Sequence, residues 1–211
     1  MCYIISVGKG SRKLLKGEKM LELSRGNTKL SNNVLIMNMG TADECPSRKR
    51  GLCAVEGICY AMKAERVYKQ VTPFRKRQAE YWLNNSAEQI ATDFENYLKG
   101  KRGIEYLRIN EAGDFYSQDC VSKLNYLAGR LKKLGITTYG YTARKDLDFS
   151  NVNNVIIRGS GFECVSGATN VIGKNEDAPS GYKVCPNPKK GCGTKCRMCM
   201  KQGNNVSFRS H

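Results

Sequence analysis

The chain has 211 residues, 40% hydrophobic and 9% aromatic, which is enough for one sizeable core and excludes a disordered polymer. Lys and Arg number 35 against 19 Asp and Glu, a formal charge of +16 that exceeds what solubility needs and suits a polyanionic partner, nucleic acid first among them. The opening MCYIISVGKGSRK has too short an apolar run for a leader, and no stretch reaches the roughly 18 apolar residues of a membrane span, so no membrane is expected and the expected location is the cytoplasm.

In chain order, NVLIMNM (33–39) reads as a buried strand, followed by a cysteine loop and a helix beginning near Ile58. Thr72 and Pro73 open a helix running to about Leu83. Ser86 and Gln89 form a capping box for a helix that stops at Gly100. IEYLRIN (104–110) is a second buried strand. Ser117 then caps a helix whose apolar positions, from Val121 to Leu134, follow the helical period up to Gly135. ITTYGYT (136–142) and NVIIRG (154–159) complete four strands. Strands alternating with helices imply an α/β fold with a mostly parallel sheet. The expected division is an α/β domain over 1–184, carrying the cysteine loop, and a cysteine-rich metal-binding segment over 185–211 packed on it.

Open α/β sheets keep their chemistry at the carboxyl ends of their strands, and each predicted strand here leads into an unusual loop. The first carries Cys45, Cys53 and Cys59; the second is NEAGDF (110–115); the third is ARKD (143–146); the fourth is GSGFEC (159–164). Glu111 and Asp114 are candidate catalytic carboxylates, though helix capping would suit them equally. Arg144 and Arg158 could steer phosphate, and the glycines of GSG could form a phosphate nest. GKGS at 8–11 lacks the spacing of a phosphate-binding loop.

Ten cysteines and a single His, His211, mean that any metal site is built on sulfur, which favours zinc or iron–sulfur chemistry. Cys185, Cys192, Cys196 and Cys199 are four soft ligands within fifteen residues, a full set for zinc or a four-iron cluster, and form an expected knuckle. Cys164 is the candidate fourth ligand to the set Cys45, Cys53 and Cys59, giving two sites of four. Cys2 is unassigned, and Cys120 reads as an ordinary third residue of its helix.

The strings CPSRKRGLCAVEGICYAMKAERVY, LRINEAGDFYSQDCVSKL, YGYTAR, CGTKCRMC and NNVSFRSH resemble the gene product 88 family of bacteriophages and plasmids, over about Val34 to His211. More distantly, three cysteines after the first strand, with Tyr60 following the last, look like the cluster loop of radical S-adenosylmethionine (SAM) enzymes. EAGDF stands where those enzymes hold the amino group of SAM. That resemblance implies a partial (β/α) barrel with a 4Fe-4S cluster. Gly113, Arg144, Gly159 and Gly161 are the candidate cofactor-binding residues, and under that resemblance SAM would fill the fourth cluster corner in place of Cys164. The expected function is an iron–sulfur protein that binds, and in its enzymatic version modifies, nucleic acid; the rival is a non-catalytic nucleic-acid-binding protein with structural zinc or iron–sulfur sites.

Overall fold

The computed structural model describes residues 20–187 and 191–210, so Cys2, the 8–11 stretch, Lys189, Lys190 and His211 lie outside the described residues. Eight strands form one open sheet: β1 (Ser24–Arg25), β2 (Val34–Met37), β3 (Tyr106–Ile109), β4 (Thr137–Thr142), β5 (Val155–Ser160), β6 (Ala168–Ile172), β7 (Tyr182–Val184) and β8 (Asn205–Arg209), in the order β1-β2-β3-β4-β5-β6-β8-β7. Only the β1–β2 pair is antiparallel; β2 through β8 pair in parallel. The four predicted strands are β2 to β5: β2 and β3 are shorter at both ends, β4 begins one residue late, and β5 is shifted one residue toward the C-terminus; they lie side by side in chain order. Parallel neighbours need long crossovers; predicted helices supply those from β2 to β3 and from β3 to β4, whereas residues 143–154 join β4 to β5 without a helix.

The helices are α1 (Pro46–Lys49), α2 (Tyr60–Val67), α3 (Val71–Asn84), α4 (Ala87–Leu98) and α5 (Gln118–Lys133). At α4 the expected cap is present, with the Ser86 hydroxyl accepting from the Gln89 N–H at 3.1 Å. At α5 Ser117 occupies the N-cap position, but its hydroxyl donates to Cys120 Sγ at 3.7 Å and bonds no backbone N–H. Cys120 is the third residue of α5 and is buried in the core. Helix α1 within the cysteine loop was not expected; Pro46 at its first turn sets φ for it.

One sheet face, carrying Leu35, Met37, Leu107, Ile109, Val155 and Ile157, packs with Trp82, Phe94, Leu124, Leu127 and Leu131 into the main core. The other face carries Val34, Tyr106 and Tyr139, packed against Met200 and Cys199 of the C-terminal cysteine segment. Sequence patterning hid β6, β7 and β8. They are short, their burial is broken, and β7 is mostly exposed, so neither an apolar run nor a clean alternation marks them. β8 lies inside the sheet between β6 and β7, so the end of the chain contributes a strand as well as the cysteine segment.

Candidate functional site

Asp114 ties the carboxyl-edge loops together. It is 4% exposed, and its two oxygens accept four protein donors. Oδ1 takes the Phe115 N–H at 2.8 Å and the Thr142 hydroxyl at 2.7 Å. Oδ2 takes the Ser47 hydroxyl at 2.5 Å and the Ala143 N–H at 2.8 Å. The loops after β2, β3 and β4 therefore meet on one carboxylate. Burial pushes its pKa above the usual range, and the four donors pull in the opposite direction.

The neighbouring candidates are similarly committed. Gly113 has φ +72°, and a Cβ there would lie 2.7 Å from the Gly40 nitrogen, so its lack of a side chain lets two loops touch. Arg144, 2% exposed, forks onto Asp146 at 2.7 and 2.9 Å and donates to the Phe115 carbonyl. A Cβ on Gly159 would meet the Phe162 carbonyl oxygen at 2.1 Å, and Gly161 has φ +82°, so both glycines serve the tight turn after β5. Glu111 accepts from the Asn27 amide, and its carbonyl accepts from the Tyr60 hydroxyl. This arrangement does not fit the amino group of SAM: Asp114 is saturated by protein donors and Gly113 is packed against Gly40.

Cys45 precedes α1 and Cys59 precedes α2, each in extended backbone. Burial pushes the Cys45 thiol up to about 11, partly offset by the Arg48 and Ser47 N–H groups, while Asp114 and Cys53 add smaller upward pushes. Cys53 lines a cleft of about 250 Å³ with Leu52, Ala54, Lys145, Ser160 and Gly161, which joins the loop after β2 to the turn after β5. Cys164 forms a tight turn with Gly167 and packs against the main core. Its thiol is raised by burial, partly offset by the Val165 N–H, with a smaller upward push from Glu163.

The four C-terminal thiols are neighbours. Burial, with Cys185, Cys196 and Cys199 adding in the same direction, pushes Cys192 up to about 11. Backbone bonds from Gly193 N to Cys196 O (2.9 Å) and from Cys196 N to Gly191 O (2.9 Å) fold this stretch back on itself. The Asn187 N–H donates to Cys185 Sγ at 3.4 Å. Arg158, expected to steer phosphate, is instead fully buried and clamps the segment, donating to the carbonyls of Cys199 at 2.6 Å, Asn204 at 2.6 Å and Lys201.

Below the segment, the second sheet face presents Arg108, Tyr139 and Tyr141. The Arg108 guanidinium lies 4.0 Å from the Tyr141 ring centre and 5.5 Å from that of Tyr139. The Tyr141 side chain lies beside Cys199. Tyr139 is 1% exposed and its hydroxyl has no hydrogen-bond partner among the described residues; Cys199 and Cys192 are among the groups that raise its pKa. Burial raises Cys199, whereas Tyr141, Arg108 and Arg158 favour its thiolate. Sequence reading missed Arg108, Tyr139 and Tyr141; the available signal was Tyr-x-Arg in β3 and Tyr-x-Tyr in β4, a polar–aromatic row opposite an aliphatic one.

Four soft sulfurs, with a hydroxyl lacking an acceptor beneath them, suit a zinc or iron centre, because metal-bound thiolates would supply that acceptor. Among the described residues, no three His, Cys, Asp or Glu side chains converge on a point that could hold a metal ion.

The family model described as gene product 88 matches residues 6–174. The chain belongs to the gene product 88 family. No curated protein and no solved structure matches it. The gene product 88 match contains Cys45, Cys53, Cys59 and Cys164 and ends before Cys185, so the C-terminal set lies beyond the matched span. The likeness to radical SAM enzymes has no counterpart in these comparisons. No helix among the described residues is long and apolar enough to cross a membrane.

Proposed function

We propose that this gene product 88 protein is a cytoplasmic metal–thiolate protein that binds nucleic acid, with the C-terminal cysteines holding zinc or an iron–sulfur cluster over the second sheet face. The observation that carries this reading is the Tyr139 hydroxyl, buried without a partner among the described residues, with Cys192 and Cys199 of the four-cysteine segment both raising its pKa and Tyr141 favouring the Cys199 thiolate. A metal would lower the thiol pKa values and draw Cys185, Cys192, Cys196 and Cys199 together, with Tyr139 and Tyr141 donating to the bound thiolates and Arg108 and Arg158 offsetting their negative charge. Cys45, Cys53 and Cys59 offer a second, three-sulfur set at the carboxyl edge. The formal +16 supplies the affinity for a phosphate backbone.

Anaerobic purification followed by iron, zinc and sulfide analysis tests the metal. Stoichiometric metal that is lost in the Cys192→Ser/Cys196→Ser double variant supports the reading. Metal-free wild-type protein that stays folded under chelation overturns it. Colourless protein with zinc selects the structural version, and a brown protein with sulfide selects the iron–sulfur version.

A further inference from the structure

The end of the cysteine loop and the helix after it turn an unusual surface outward. Ile58 is 64% exposed, Tyr60 59%, Val67 60% and Tyr68 55%, in a chain whose other large apolar side chains mostly find cover. Between these residues stand Lys63, Arg66 and Lys69, all exposed. Tyr60, Lys63 and Val67 fall at i, i+3 and i+7 and share one stripe of α2, with Arg66 beside it.

The single acidic residue of α2 does not oppose these cations. Glu65 turns inward, pairing with Arg75 at 2.7 Å and accepting the Ala42 N–H at 2.9 Å, both partners being largely buried. The outward face of α2 is therefore cationic and aromatic, with no carboxylate of its own. The Tyr60 hydroxyl is tied to the Glu111 carbonyl, which fixes the ring while leaving it open to solvent.

We infer that this strip is a platform for single-stranded nucleic acid, on which Tyr60 and Tyr68 stack bases while Lys63, Arg66 and Lys69 meet phosphates. Charge complementarity selects a polyanion in a chain of formal charge +16. The aromatic rings select an unpaired strand, because in a duplex the base faces are already covered and only the cations would engage. The inference rests on the nucleic-acid half of the proposed function and not on the metal.

The test is fluorescence anisotropy of full-length protein with a labelled oligothymidylate and, separately, a duplex. Tyr68→Ala should weaken oligothymidylate binding about tenfold, within the range expected for loss of one stacked base, and leave the duplex nearly unaffected. Tyr68→Phe should retain wild-type affinity. Lys63→Gln/Arg66→Gln should weaken both and lower the single-strand salt slope by about 1.4. Lys132→Gln/Lys133→Gln is the control: these residues end α5 where the chain enters β4, at the amino edge of the sheet, and both affinities should hold.

If wild-type protein binds the oligonucleotide but neither the Tyr68 nor the Lys63/Arg66 variant changes that binding, the platform is overturned while the nucleic-acid reading stands. If wild-type protein binds neither nucleic acid at low salt, both fall. If the variants instead lose binding to phosphatidylserine vesicles and keep oligothymidylate binding, the strip belongs to a membrane surface and the inference is overturned.

Discussion

At the scale of single residues, Asp114 shows how a buried charge can be a structural device. Each of its oxygens accepts two protein donors, one of them a backbone N–H. Asp114→Asn must therefore aim an amide N–H at a backbone N–H in either orientation, and should cost about 3 kcal/mol in urea unfolding. The sign of its pH dependence follows from the raised pKa: just above the unfolded value of about 4, the folded chain still holds a proton that the unfolded chain has released. Its contribution is thus full below that pH and is lost as pH rises through the folded pKa. The wild-type stability curve should fall relative to that of Asp114→Asn across that window; a rise would refute the assignment. Gly113→Ala and Gly51→Ala separate two penalties, since both sites have positive φ but only Gly113 would clash, against Gly40. Gly51→Ala should cost about 1 kcal/mol and Gly113→Ala clearly more, by the same measurement.

At the scale of elements, the cysteine segment is held to the sheet by Arg158 and by aromatic packing before any metal is considered. Arg158→Ala removes three charge-assisted bonds to carbonyls and leaves a void, so it should destabilise the protein by about 3 kcal/mol. Limited proteolysis should then cut first between 185 and 204, with β8 retained. Helix α4 offers a cleaner test of local chemistry: Ser86→Ala removes the acceptor for the Gln89 N–H and should cost about 1 kcal/mol in thermal or urea unfolding.

At the scale of the whole molecule, β8 joins β7 to the rest of the sheet. β8 pairs with β6 on one side and β7 on the other, and Val206 is fully buried. Deleting 205–211 should do more than trim a tail: β7 loses its sheet neighbour and the long edge of β6 is bared, a template for association. A shift to larger species than wild type in size-exclusion chromatography, with faster amide exchange in β6, is the expected result. An elution profile and β6 exchange unchanged from wild type would mean that 205–211 behaves as an appendage.

The sequence by itself determined the parallel core, β2 to β5, because apolar runs separated by capped amphipathic helices admit few other arrangements, and it located the carboxyl-edge loops that meet on Asp114. It marked the two cysteine groups from residue type and spacing. Only the tertiary structure decided which polar residues face one another. Arg158 reads as a free cation in the sequence and is a buried clamp because β5 turns it under the 199–204 loop. Gly113, Gly159 and Gly161 read as ligand-binding glycines and are accounted for by loop contacts and a tight turn. Arg108, Tyr139 and Tyr141 come together because parallel register sets β3 beside β4 with those positions on one face. Which strands share a face, and what covers it, depends on contacts between residues far apart in the chain, and local periodicity carries no record of them.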